Sequence, residues 1–150
     1  MLCWKGILKS PLLHLSTFFR RTQAEYYSRL QGVRDHDGWE NWVLYFLKGI
    51  VATAGDASRT ASRIIDLRDQ HRAKISGAFA NATGPLSVLD KMFEVPTITS
   101  NKVQEITGQS KPTVLSLISR FEELGILTEI TGRKRNRVYE YKPYVDLFRQ

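Results

Sequence analysis

Between Ser110 and Gly125, five apolar residues, Val114, Leu117, Ile118, Phe121 and Leu124, recur at spacings of three and four. Only a helix gathers such a series onto one stripe, and a stripe of that kind has to be buried. Ser110 offers its hydroxyl to the free amides of the first turn. Lys111 and Pro112 follow where the missing proline N–H costs nothing, and Gly125 supplies the stop. Thr113, Ser116 and Arg120 fall along a different line and are expected to face outward.

The flanking residues turn this helix into part of a larger unit. Upstream, Ser100 is expected to cap a short helix whose Val103 and Ile106 point inward, with Gly108 and Gln109 making the turn between the two helices. That is a helix-turn-helix pattern. Downstream, 126–131 is short and rich in β-branched residues, and Val138, Tyr139, Glu140 and Tyr141 read as a return strand. Gly132, Arg133, Lys134, Arg135 and Asn136 join the two as a basic hairpin, or wing.

Composition bounds the rest. A chain of 150 residues that is 42% hydrophobic can bury one good core or two small ones. The net charge of +7 and isoelectric point near 9.7 favour acidic partners such as nucleic acid. Cys3 is the only cysteine, which excludes an internal disulfide, a cysteine zinc cluster and a redox pair, and fits a cytoplasmic setting. Lys5, Lys9 and Pro11 interrupt the apolar N-terminus, leaving neither a signal-peptide core nor a membrane span.

Along the chain, 1–8 reads as the end of something apolar, and Ser10-Pro11 starts a helix carrying Leu12, Leu13, Leu15, Phe18 and Phe19. Thr22 and Glu25 have capping-box spacing, so a second helix runs to about Val33 with Tyr26, Tyr27, Leu30 and Val33 available inside. Asp37 and Glu40 start a third. Its stripe is Trp39, Trp42, Val43, Phe46, Leu47, Ile50, Val51 and Ala54, continued beyond a bend near Gly55 by Ala57, Ala61, Ile64 and Ile65 to the region of Arg72. Two short helices cover only part of such a stripe, so the N-terminal half is expected to be a fragment of a larger bundle that exposes apolar surface or self-associates. Asn, Thr, Gly and Pro at 81–85 suggest a linker. Leu86, Leu89 and Phe93 begin the next unit, and Pro96 ends its first helix. The expected fold is mainly α: a helical bundle fragment over 1–80, a linker at 81–85, and a winged helix-turn-helix (α+β) domain over 86–150.

Pro11-Leu12-Leu13-His14-Leu15-Ser16, Glu25-Tyr26-Tyr27, Val33-Arg34 and Gly38-Trp39-Glu40-Asn41-Trp42 through Phe46-Leu47 occur in an order that resembles the C-terminal helices of Fic-domain proteins. Gly125-Ile126-Leu127 with 131–137 resembles the wing of the C-terminal winged helix that many members carry. The resemblance implies a protein adenylyltransferase, transferring AMP from ATP to protein hydroxyls, with ATP and a divalent metal as the family's cofactors. The family's catalytic loop, His-Pro-Phe-x-Asp/Glu-Gly-Asn-Gly-Arg, is absent. The three histidines are followed by Leu15, Asp37 and Arg72, and there is no other phosphate-cradling glycine loop. The resemblance places the missing loop upstream of Met1 and makes this chain a truncated C-terminal portion with no cofactor of its own.

Other residues have plainer readings. His14 lacks a second ligand at metal spacing and is expected to pack. Asp66 and Asp69 with Arg63, Arg68 and Arg72 form a solvated ion-pair face, and Trp39, Trp42 and Phe46 are expected in the core. For the winged helix two roles stay open. As a double-stranded DNA reader it would place Lys111, Thr113, Ser116 and Arg120 in or beside the major groove, with Arg133, Lys134, Arg135 and Arg137 on phosphates or in the minor groove. As a docking element it would hold the helical bundle or a protein partner. Residues 86–150 carry ten basic and eight acidic side chains, a net of only +2, so the charge is concentrated in the wing.

Overall fold

The computed structural model describes residues 15–148. The readings made for Cys3, for the apolar N-terminus, for the Ser10-Pro11 helix start and for His14 lie outside them. The chain divides into two compact units, Met1–Ala61 and Ser62–Gln150, and the division falls inside the longest helix.

In the first unit, α1 (Leu15–Arg21), α2 (Gln23–His36) and the first half of α3 (Trp39–Ala78) meet around aromatic rings. Phe19 lies between 5.1 and 6.4 Å from the rings of Tyr26, Trp42, Tyr45 and Phe46. Gly49 admits this packing: a Cβ there would stand 2.8 Å from a Phe18 ring carbon. The expected capping box does not form. The Thr22 hydroxyl donates to Phe18 O (2.9 Å) and shares a 2.7 Å hydrogen bond with the Tyr45 hydroxyl, while Glu25 pairs with Arg29. Asp37 ends α2 in the left-handed conformation (φ 51°) instead of starting α3, and α2 runs three residues past Val33.

The long helix continues through Gly55 and extends to Ala78, beyond the expected end near Arg72. Its buried residues in this unit are Tyr45, Gly49 and Thr53. The aromatic stripe expected in the core is instead largely open: Trp39 is 59% exposed and Phe46 36%, with Trp42 half-buried. Tyr27 and Leu30 of α2 are exposed as well. Two short helices cover one side of α3, and the side carrying Val43, Leu47 and Val51 is left open.

The second unit takes the last turns of α3, then α4 (Thr83–Met92), β1 (Thr97–Thr99), α5 (Ser100–Thr107), α6 (Lys111–Glu123), β2 (Thr128–Glu129), β3 (Val138–Glu140) and α7 (Lys142–Asp146). The α4 helix begins three residues before the expected start. Pro85 sits in its first turn, where no N–H is required, and Asn81 Oδ1 accepts from Thr83 N at 3.1 Å. The three strands form an antiparallel sheet in the order β1-β3-β2, with Ile98 opposite Tyr139 and Glu129 also opposite Tyr139. Three helices, α4, α5 and α6, with β1 between the first two and the β2–β3 hairpin after the last, give a winged-helix-like unit.

Its core is the stripe seen in the sequence. Val114, Leu117, Ile118 and Phe121 are buried against Val88, Leu89, Met92, Val103, Ile126 and Tyr139, and each such side chain contributes about 1.5–3 kcal/mol. The α6 helix ends in a paired stop: Gly125 N (φ 69°) donates to Glu122 O at 3.0 Å and Ile126 N to Phe121 O at 2.9 Å. This closes the open carbonyls and brings buried Ile126 onto Phe121. The starts differ from expectation. Thr99, not Ser100, caps α5, accepting from Lys102 N at 3.3 Å.

Candidate nucleic-acid interface

The outward side of α6 is set by the burial of its opposite stripe. Lys111, Thr113, Ser116 and Arg120 are all exposed, as their spacing requires. Their polar groups are not equally free. The Ser110 hydroxyl pairs with the Thr113 hydroxyl at 2.9 Å instead of capping an amide. Arg120 Nη1 donates to Glu123 at 2.7 Å, one turn on along the same helix. Thr113, Ser116 and Arg120 also form one wall of a furrow. An open groove of about 510 Å³ runs between Ser116, Ser119 and Arg120 on one side and Ala78 and Phe79 on the other. A smaller continuation of about 170 Å³ reaches Thr113, Gln109 and Asn81.

The wing is a hairpin held at its base by a carboxylate. Glu129 accepts from Thr131 N at 2.8 Å, from Gly132 N at 3.1 and 3.0 Å, and from the Thr131 hydroxyl. The Thr131 hydroxyl and amide, joined by Gly132 N–H and the Arg137 charge, hold the Glu129 carboxyl below the usual carboxylate range. Gly132 (φ 62°) and Asn136 (φ 53°) bracket the tip in left-handed backbone, which glycine adopts freely and asparagine tolerates. Between them Arg133, Lys134 and Arg135 are exposed. Arg137 is partly committed to the hairpin, its Nε donating to Arg133 O at 3.0 Å. Spacing and charge pattern do not single out Glu129; its one signal in the sequence is an acidic residue two positions before Thr131-Gly132.

No protein-family model matches the chain, and no curated protein matches it. The resemblance to Fic-domain proteins rests on the short ordered runs in 11–47 and 125–137 alone. Among the described residues no three metal-ligating side chains cluster, and no helix is long and apolar enough to cross a membrane.

A buried polar pair ties the last turns of α3 to the residue that follows β3. His71 Nδ1 and the Tyr141 hydroxyl lie 2.7 Å apart, and His71 is 4% exposed. Burial, with a smaller effect of Lys74, lowers the His71 pKa from 6.5 to about 4, and burial pushes that of Tyr141 up. Phe93 packs edge-on against both Tyr141 and Tyr144.

Proposed function

We propose that the winged-helix-like unit binds duplex DNA, with α6 as the reading element and the wing as a phosphate clamp. The observation that carries this is the pairing of an exposed polar line on α6, Lys111, Thr113 and Ser116, with a hairpin that concentrates four cations in 133–137 of a unit otherwise nearly neutral. The first half of α6 is the reading end. Its second half carries Glu122 and Glu123, and Glu123 neutralises Arg120; both carboxylates would repel a phosphate backbone. Small hydroxyl side chains at Thr113 and Ser116 suit close approach to base edges.

The test is titration of the full chain against random and selected duplexes at two salt concentrations. Arg133→Ala or Lys134→Ala weakens binding to every duplex and reduces the salt slope by about 0.9 for each phosphate no longer neutralised. Thr113→Ala or Ser116→Ala changes sequence preference, by about 1–3 kcal/mol where a hydrogen bond to a base is removed. Absence of binding at low salt refutes the reading and leaves the unit as a protein-docking element. The short ordered runs in 11–47 and 125–137 that resemble Fic-domain proteins support a further proposal: the chain is the C-terminal, cytoplasmic, regulatory portion of a Fic-type adenylyltransferase, with AMP transfer requiring a catalytic loop outside it.

A further inference from the structure

The open side of α3 has an internal symmetry. Its central line is Trp39, Val43, Phe46, Ile50, Ala54, Ala57 and Ala61, spaced 4-3-4-4-3-4, which reads the same in both directions about Ile50. The line covers 22 residue steps, about 33 Å at ~1.5 Å per residue. Its mean spacing of about 3.67 stays close to the helical repeat, so it drifts only about 40° and remains on one side of a straight helix. Side-chain size changes direction at the same point. Residues before Ile50 are large and those after it are alanines. Trp39, Val43 and Phe46 are exposed, at 59%, 48% and 36%, as are Ala54 and Ala61, while Ile50 and Ala57 are half-buried.

The geometry points to a second copy of this chain as the occupant, packed antiparallel on this line with the two-fold axis at Ile50. In that register Trp39 of one copy meets Ala61 of the other, Val43 meets Ala57, Phe46 meets Ala54, and Ile50 meets itself. Each bulky residue enters the space above an alanine, the self-complementarity that an isologous two-fold interface demands. A parallel pair would oppose Trp39 to Trp39 and alanine to alanine, leaving a bulge at one end and a gap at the other. Leu47 and Val51, 49% and 73% exposed, widen the strip on one flank. The interface then reaches on the order of 600 Å² per copy, the lower end of stable protein interfaces. No charge lies on the line. Lys48, Asp56 and Arg59 fall more than about 100° from its centre, and Asp56 and Arg59 pair with each other.

The experiment uses the full chain with Cys3→Ser, so that introduced cysteines are unique. Sedimentation should give a particle of twice the 17.2 kDa monomer mass that dissociates on dilution. Ile50→Glu, which places two carboxylates on the axis, should weaken association at least tenfold. Register is read with a short bis-maleimide and mild substitutions. Ile50→Cys should couple to itself. Val43→Cys and Ala57→Cys should each fail alone, because like positions are 14 residues, about 21 Å, apart along the helix. Mixed together, they should couple. A chain that stays monomeric, or Val43→Cys coupling to itself as readily as to Ala57→Cys, overturns the proposal, and the coupling pattern decides it even where Ile50→Glu fails to fold.

Discussion

Acidification should loosen the winged-helix-like unit through one residue. His71 is buried with its Nδ1 2.7 Å from the Tyr141 hydroxyl, and its pKa falls from 6.5 to about 4 on folding. The unfolded chain therefore takes up the proton first. Stability is full above pH 6.5, is lost as the pH falls through the window from 6.5 to about 4, and is not lost further below it. Integrated from pH 7.5 to pH 5.0, this one group accounts for about 2 kcal/mol. The described tryptophans, Trp39 and Trp42, lie in Met1–Ala61, so their fluorescence does not report directly on this unit. Hydrogen exchange of the buried-stripe amides Leu117, Ile118 and Phe121 does. His71→Phe or Tyr141→Phe alone leaves a buried polar atom unpaired, at a cost of about 1–3 kcal/mol each at neutral pH. The double variant His71→Phe/Tyr141→Phe removes both partners, costs less than the two singles combined and abolishes the pH dependence. If the double variant still loses about 2 kcal/mol between pH 7.5 and 5.0, the assignment to His71 is wrong.

Three further outcomes are expected. Glu129→Gln, which keeps the shape but not the charge, should speed amide exchange at Thr131 and Gly132 while leaving α6 protected; in the unaltered chain the same bonds should survive below the ordinary carboxylate range, because Glu129 protonates late. Incubation of the chain with labelled ATP and candidate proteins should leave no label, since it has neither the catalytic histidine motif nor a phosphate loop; label that disappears on changing one of its residues refutes this. A fragment over 85–150 should be several kcal/mol less stable than one over 62–150, measured by urea unfolding, because it lacks Ile75 from the core and His71 from Tyr141.

The helix-turn-helix was legible because three signals agreed over 110–125: the buried stripe, the proline at the start and the glycine at the stop. Capping was less so. Ser110 and Thr99 stand in equivalent places with equivalent hydroxyls, yet only Thr99 bonds an amide, because Ser110 has Thr113 as a competing partner. The β1 strand was missed because three residues carry no period, and its identity depends on Tyr139 arriving from 41 positions away. The exposure of Trp39 and Phe46 could not be read from spacing. Periodicity identifies which residues share a side, and what covers that side is decided by partners. Nothing in the spacing singles out His71, which lies in a charged stretch beside Asp69 and Arg72; its pairing with Tyr141, 70 residues on, becomes visible only in the fold.

The charge distribution sets the character of the proposed DNA binding. The second unit does not supply a broad cationic face: Arg120 is paired with Glu123, Arg72 with Asp90, Lys91 with Glu94, Lys102 with Glu105 and Lys142 with Asp146. Exposed pairs of this kind contribute little to stability, but they cancel the charge a phosphate backbone would meet. The electrostatic attraction then comes from Lys111 and the wing, where Arg137 is half spent on the hairpin itself. Four neutralised phosphates give a salt slope of about −3.6, so affinity falls only about 150-fold between 50 and 200 mM salt. Recognition on this scale would depend on how firmly the wing is held, and the Glu129 carboxylate, bonded to the amides of Thr131 and Gly132, is what holds its base. Two copies joined through α3 would carry two such clamps, and the added avidity would depend on whether both can reach one duplex.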